Sequence, residues 1–279
     1  MPGPDTTPET SRSEAGRAAA PRPIGRVNWI GLWTLYAREV RRYLKIYMQT
    51  LFAPIVTTLL FLAVFTLALG RAVEVVNGVP FAHFLMPGLV MMAIAQNSFA
   101  NTSSSLVIAK IQGNIVDVLM PPLSATELAL GIAGGGATRG LMTGVAVAAA
   151  MYVFVPVGLH DPVAVLFFAV GAALMLAQIG LITGIWADKF DHAQAITNFV
   201  ITPLAFLSGT FYSIDRLPGF WHAVAHANPF FYMIDGLRYG FLGVADTPPV
   251  LGAAVIVACN AVLWFVASRM LASGYKLKT

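Results

Sequence analysis

Residues 162–186 carry no Asp, Glu, Lys, Arg or His. A helix needs about 20 predominantly apolar residues to cross the hydrocarbon of a bilayer, and a charge-free run of this length fits that requirement. Further apolar runs cover about 49–69, 84–107, 127–156, 194–212 and 250–270. Charged residues make up only 11% of the chain, against roughly 25% in soluble domains. A transmembrane β-barrel would alternate apolar and polar residues over segments of about ten, and these runs do not alternate. The sequence therefore predicts an all-α polytopic membrane protein with six transmembrane helices, so that both termini share one side.

Loop charges choose that side. Arg38, Arg41, Arg42, Lys45, Lys110, Lys189, Arg269, Lys276 and Lys278 flank one set of span ends, and Arg71, Arg216 and Arg238 the other. The excess of Lys and Arg marks the cytoplasmic face, so both termini are expected inside and the 213–249 loop outside. Residues 1–25 are rich in Pro, Ala, Ser, Thr and Arg and lack the apolar core of a signal peptide. They read as a disordered cytoplasmic tail ahead of a single membrane domain, 26–279, with the first span as the anchor. The net charge of +4 sits mostly beside the spans, where it meets lipid headgroups, so nucleic-acid binding is not implied. Cys259 is the one cysteine, which excludes an intramolecular disulfide and a Cys-based metal site. No solenoid repeat appears, and the two three-span halves do not resemble each other, so an inverted-repeat transporter gains no support.

Residues 28–47 form an amphipathic pattern. Trp29, Leu32, Trp33, Tyr36, Val40, Tyr43, Leu44 and Tyr47 recur at helical spacing, with Arg38, Arg41, Arg42 and Lys45 opposite. Such a helix is expected to lie in the membrane plane, aromatic side at the headgroup boundary and basic side on lipid phosphates. In span 2, Asn97, Asn101 and Ser104 or Ser105 share one face, with Gln96 beside them. Polar groups at this depth either bond a neighbouring helix or line a translocation path, and spacing alone leaves both open. In span 3, Gly136, Gly140 and Gly144 share a face that admits close approach of another helix. Arg139 lies in the same span, where it either snorkels to the inner interface or serves a substrate or an ion pair. Between spans 2 and 3, a short helix over about 113–120 is expected to stop at Pro121-Pro122. Its apolar face (Ile115, Val118, Leu119) is either exposed to a partner protein or packed on the spans.

The stretch 207–243 is too polar and too broken by Pro218, Gly219, Pro229, Gly236 and Gly240 to be one span, yet too aromatic for a solvated linker. Segments of this kind sit at a membrane interface. His222 and His226 have a spacing compatible with zinc, but no Cys or acidic neighbour completes a site. Asp235 and Arg238 are placed to pair. No HExxH, Gly-x-Ser-x-Gly or Walker sequence is present, so neither catalysis nor a cofactor is expected.

Four stretches carry a family resemblance: YAREVRRYLKIYMQTLFAPIVTTLLF, FLMPGLVMM, NIVDVLMPPLS and TPLAFLSGTFYSIDRLPGFWHAVAHANPFFYMIDGLRYGFLG. From about Asn28 to the C-terminus the chain resembles the ABC-2 type permeases, and among them the YadH-like inner-membrane permeases of bacteria. The resemblance implies a homodimeric export permease in the inner membrane, bound underneath by two copies of a separate ABC ATPase and driven through alternating access. It implies that Arg38, Glu39, Arg41 and Arg42 belong to a connecting helix. Asn114, Val116, Asp117, Leu119, Met120, Pro121 and Pro122 would belong to the helix that couples to the ATPase. Gly209, Phe211, Tyr212, Pro218, Asn228, Pro229, Asp235 and Arg238 would form an external lid of short re-entrant helices. Gln96, Asn97, Asn101 and Ser104 are the candidate path residues. A stand-alone secondary transporter or channel is the alternative, although Glu127 is the one carboxylate within the apolar runs. A membrane enzyme would have to use His222, His226 and Asp235.

Overall fold

The computed structural model describes residues 27–70, 73–214 and 217–277. The expected N-terminal tail, Arg71, Arg216 and Lys278 lie outside the described residues. The chain is mostly helical. An opening helix α1 (Trp29–Leu44) is followed by a π turn (Met48–Phe52) that leads into α2 (Ala53–Leu69). A two-stranded hairpin, β1 (Val75–Val76) with β2 (Val79–Pro80), precedes α3 (Phe81–Ile111), the short α4 (Ile115–Leu119) and α5 (Ala125–Tyr152). Then come α6 (Pro162–Trp186), α7 (Phe190–Ile196), a second π turn (Thr197–Ile201), α8 (Thr202–Phe206), α9 (Gly219–Ala227), α10 (Pro229–Leu242) and α11 (Pro249–Ser273).

Local chemistry sets the boundaries. The hairpin turns on Asn77 and Gly78, both with positive φ, as a two-residue turn of this kind requires. Asp161 caps α6 by accepting from Val163 N at 2.9 Å and Ala164 N at 3.1 Å, and Pro162 opens that helix. Ser124 and Glu127 form a reciprocal capping box on α5. Gly243 and Gly274 adopt left-handed φ of 73° and 67° where α10 and α11 end.

Three of the described helical segments are long and apolar enough to cross a membrane: Met48–Ala68, Pro162–Trp186 and Pro249–Ser273. They differ in surroundings. α6 is largely buried within the bundle, while α2 and α11 leave most of their apolar surface uncovered, which suits contact with lipid. Helices α3 and α5 are longer still, at 31 and 28 residues, but carry more polar residues. α3 lies at the centre, against α5 on one side and α6 on the other.

Glycines make that centre compact. A Cβ on Gly136 would strike Thr102, one on Gly140 would strike Ser98 and lie 2.7 Å from the Ile94 carbonyl, and one on Gly144 would strike Ile94. The stripe expected from the sequence is therefore the seam between α5 and α3. A second pair, Gly131 and Gly135, faces the other way and seats Leu35 and Glu39 of α1. The main core runs through α3, α5, α6 and α10. A smaller core joins Leu35, Leu106, Ile115, Val118, Leu128 and Leu271 at the end of the bundle where α1 and α4 sit.

Candidate functional site

Helix α4 and the two prolines after it form a projecting corner. Asn114, Val116, Asp117, Met120, Pro121 and Pro122 are exposed, with Val116 at 55% and Met120 at 74%. Ile115 and Val118 point the other way and are buried in the smaller core, with Leu119 half-buried beside them. Of the two placements the sequence left open for the Ile115, Val118 and Leu119 face, packing on the bundle is the one observed, and burying Ile115 and Val118 in so short a helix fixes which residues are left outside. The corner is tied to α1. Asn28 Nδ2 donates to the Pro122 carbonyl at 3.2 Å, and Asn28 N donates to Glu127 Oε1 at 2.6 Å. Between α1, α3 and α4 runs a groove of about 650 Å³, lined by Arg38, Arg41, Lys45, Gln112, Asn114 and Asp117 among others.

Helix α1 packs on α5 along a stripe that its sequence pattern did not single out. Leu35, Glu39 and Tyr43 face inward, while Trp29, Trp33, Leu44 and Tyr47 stay exposed. Glu39 is only 1% exposed. An unpaired carboxylate there would be costly, and it is fully engaged. Arg38 Nη2 donates to Oε1 at 3.1 Å, Arg42 Nη2 to Oε2 at 3.1 Å, and Ser105 Oγ contacts both oxygens at 2.9 and 2.8 Å. Arg42 also reaches Asn101 O at 2.8 Å and Asn101 Oδ1 at 2.9 Å. Two arginines expected to face lipid phosphates therefore bind an internal carboxylate, and Arg41 stays exposed. Burial pushes the Tyr43 hydroxyl up to about 12, with Tyr36 adding to the shift.

The span 2 polar residues divide. Gln96 and Asn97 line a cavity of about 310 Å³ between α2, α3 and α5. Asn101 is fully buried and holds Arg42, and Ser104 Oγ donates to the Asn101 carbonyl at 3.1 Å. Arg139, for which snorkelling and a substrate or ion-pair role were both open, lines the same cavity half-way along α5.

At the other end of the bundle, α10 is buried along residues 230–238. Arg238 (1% exposed) donates to the Gly209 carbonyl at 2.7 Å and lies 3.7 Å from the centre of the Phe84 ring. Its Nη1 is 3.9 Å from Asp235 Oδ1, so the expected pair is present but loose. Asp235 accepts from Asp246 N, Thr247 N and Thr247 Oγ1 at 2.8, 3.0 and 2.7 Å. Burial raises its carboxyl above the ordinary range, against those hydrogen bonds. Gly209 needs its left-handed φ of 73° to present the carbonyl that Arg238 reads. Phe211 stacks on Phe65 at 4.2 Å and Phe206 at 5.1 Å, with Tyr212 half-buried next to it. Asn228 donates to Leu204 O and Ser208 Oγ and caps α10, which Pro229 opens as Pro218 precedes α9. His226 Nδ1 lies 3.0 Å from the His222 carbonyl. Among the described residues no group of three His, Cys, Asp or Glu could hold a metal.

The sequence profile of the ABC-2 type transporter family matches residues 31–242. The chain belongs to this family. It is 36% identical over 251 residues to the inner membrane transport permease YadH of Escherichia coli (strain K12), covering 90% of this chain and 98% of that protein. It is 26% identical over 227 residues to nodulation protein J of Rhizobium meliloti (strain 1021), covering 79% of this chain and 84% of the relative. The match to an ABC-2 permease spans α1 to α10 and so includes the groove, the cavity and the buried Arg238. Members are the membrane subunits of ABC transporters, are not themselves catalytic and normally work with an ATPase subunit.

In this ABC-2 permease the buried Glu39–Ser105 contact is a functional candidate that the α1 pattern did not reveal. A signal was present: Glu39 lies four residues from both Leu35 and Tyr43, on the one stripe those two share.

Proposed function

We propose that the chain is the permease subunit of an ATP-driven exporter in a bacterial inner membrane, acting as a homodimer with two ABC ATPase subunits. Six spans are proposed: α2, α3, α5, α6, the α7–α8 segment and α11. The groove end faces the cytoplasm with both termini, and α9 and α10 close the outer end as a lid. Basic residues support this orientation, since Arg38, Arg41, Arg42, Lys45, Lys110, Lys189 and Lys276 all belong to the groove end.

The observation that carries the proposal is the projecting corner 114–122. It presents Val116, Asp117 and Met120 outward on a base fixed by Ile115 and Val118, and it is bonded to α1 through Asn28. A partner that pushes this corner moves α1, α3 and α5 together. Rigid elements of this sort transmit switching by rigid-body motion, provided that nucleotide changes the relative stability of two permease conformations. The alternative of ion-coupled transport loses its carboxylate: Glu127 is committed to Ser124 and Asn28.

The test is co-expression with a candidate ABC ATPase from the same organism. The ATPase should co-purify with the permease, and Val116→Asp with Met120→Glu should abolish permease-stimulated ATP hydrolysis and export while the permease still inserts. Normal export by the doubly substituted protein would remove the coupling role of α4. Transport by purified permease alone, on an ion gradient, would support the secondary-transporter reading instead.

A further inference from the structure

The cavity between α2, α3 and α5 is lined by one cation, Arg139, and by no carboxylate. Arg139 lines it half-way along α5, about 21 Å from the start of that helix. Among the described residues no carboxylate forms an ion pair with Arg139. Among the described residues its side chain has one hydrogen bond, to Asn101 Oδ1 at 3.5 Å, and that oxygen already accepts from Arg42 at 2.9 Å. The Nε of Arg139 is buried without a partner. Glu39 of α1 is occupied by Arg38, Arg42 and Ser105. Charges at membrane depth are costly and are retained where they meet a counter-ion or a transported group.

The lining of the cavity indicates what kind of group that is. Gln49, Gln96, Asn97 and Thr57 supply neutral hydrogen-bonding groups, and Phe61 and Met92 supply apolar walls. Gln49 and Thr57 are exposed, so the cavity is open on its α2 side. A guanidinium among amide groups favours a phosphate- or carboxylate-type oxyanion, which can take two parallel N–H donors from arginine. The apolar walls favour an acyl or aromatic portion next to it.

We propose that this cavity binds the anionic group of the transported substrate, with Arg139 as its counter-ion. The proposal rests on the transport reading above. It is tested by equilibrium binding to the purified permease without ATPase, so it can fail while the transport reading stands. The full-length chain in detergent is titrated with dioleoyl phosphatidic acid, with dioleoylglycerol, which lacks only the phosphate, and with inorganic phosphate, and bound species are counted by native mass spectrometry.

Phosphatidic acid should bind tighter than dioleoylglycerol by about tenfold or more, equivalent to at least about 1.4 kcal/mol. Arg139→Gln should abolish the preference and Arg139→Lys should keep most of it. Gln96→Glu should also abolish it, because it supplies a counter-charge inside the same cavity while leaving Arg139 in place. Competition by millimolar inorganic phosphate would assign the site to a free anion, and absence of competition to an anion carried on an apolar chain. Equal binding of the two lipids by the wild type, or a preference that survives Gln96→Glu, overturns the proposal. Should Arg139→Gln fail to elute as the wild type does, Gln96→Glu decides alone.

Discussion

Arg238→Ala is the substitution whose cost can be worked most fully from the structure. The side chain is buried, so water cannot replace what it loses. It gives up a charged hydrogen bond of 2.7 Å to the Gly209 carbonyl, a class worth about 1.5–3 kcal/mol. It gives up a cation–π contact at 3.7 Å to Phe84, worth about 2 kcal/mol when desolvated. It also leaves Asp235 without its cation, although three donors still hold that carboxylate. The ion pair is long at 3.9 Å, so it adds less than the hydrogen bond does. These contributions are not additive, and a loss of about 3–5 kcal/mol is expected for breaking one buried partner of this kind. Arg238→Lys, which keeps the charge and loses the planar geometry, should lose about half as much. Unfolding can be followed in detergent with a thiol-reactive dye, since Cys259 is the one cysteine and is half-buried. Asp235→Asn combined with Arg238→Ala should cost less than the sum of the two single changes, because the groups share a site. A loss below about 1 kcal/mol for Arg238→Ala, or strict additivity with Asp235→Asn, would refute this reasoning.

Other predictions concern the seams and caps. Gly140→Val should drive α3 from α5 and leave little monodisperse protein on size exclusion, whereas Gly134→Ala, whose Cβ meets only the Tyr36 ring at 3.6 Å, should purify normally. Ser124→Ala removes one half of the capping box and should cost about 1 kcal/mol, seen as faster hydrogen exchange at the start of α5. Asp188 is held below the ordinary carboxylate range, first by its 2.8 Å hydrogen bond from Lys276. Its contribution is therefore complete above that ordinary range and is lost as pH falls through the depressed value. Hydrogen-exchange protection at 274–277, taken relative to the intrinsic rate at each pH, should fall on acidification in the wild type and not in Asp188→Asn.

The parts of the fold that were legible from sequence rest on long or reciprocal signals. The charge-free run at 162–186 is α6 with the same limits, and Gly136, Gly140 and Gly144 form the α3 seam because three glycines at a spacing of four have few other uses. What was not legible was the choice between faces of short or doubly amphipathic helices. In α4, Ile115 and Val118 compete with Val116 and Met120 for the core over five residues, and only the position of Leu35 and Leu128 decides. In α1, an apolar stripe and an aromatic stripe run side by side. The bundle took the one containing Glu39, because Gly131 and Gly135 of α5 leave room there. For Arg139 the inner interface and a substrate or ion-pair role both stayed open. The cavity that receives it is built from three helices, and no local pattern encodes it.

The central claim is that the 114–122 corner meets the ATPase. A Cys259→Ser background carrying Met120→Cys tests it most directly, by disulfide or short bifunctional cross-linking to single cysteines on the co-expressed ATPase. Val153→Cys serves as control, since Val153 is 76% exposed at the opposite end of α5. The expected result is a cross-link from position 120, changed in yield by ATP, and none from position 153. Cross-linking from position 153 with none from position 120 would contradict the claim and reverse the orientation.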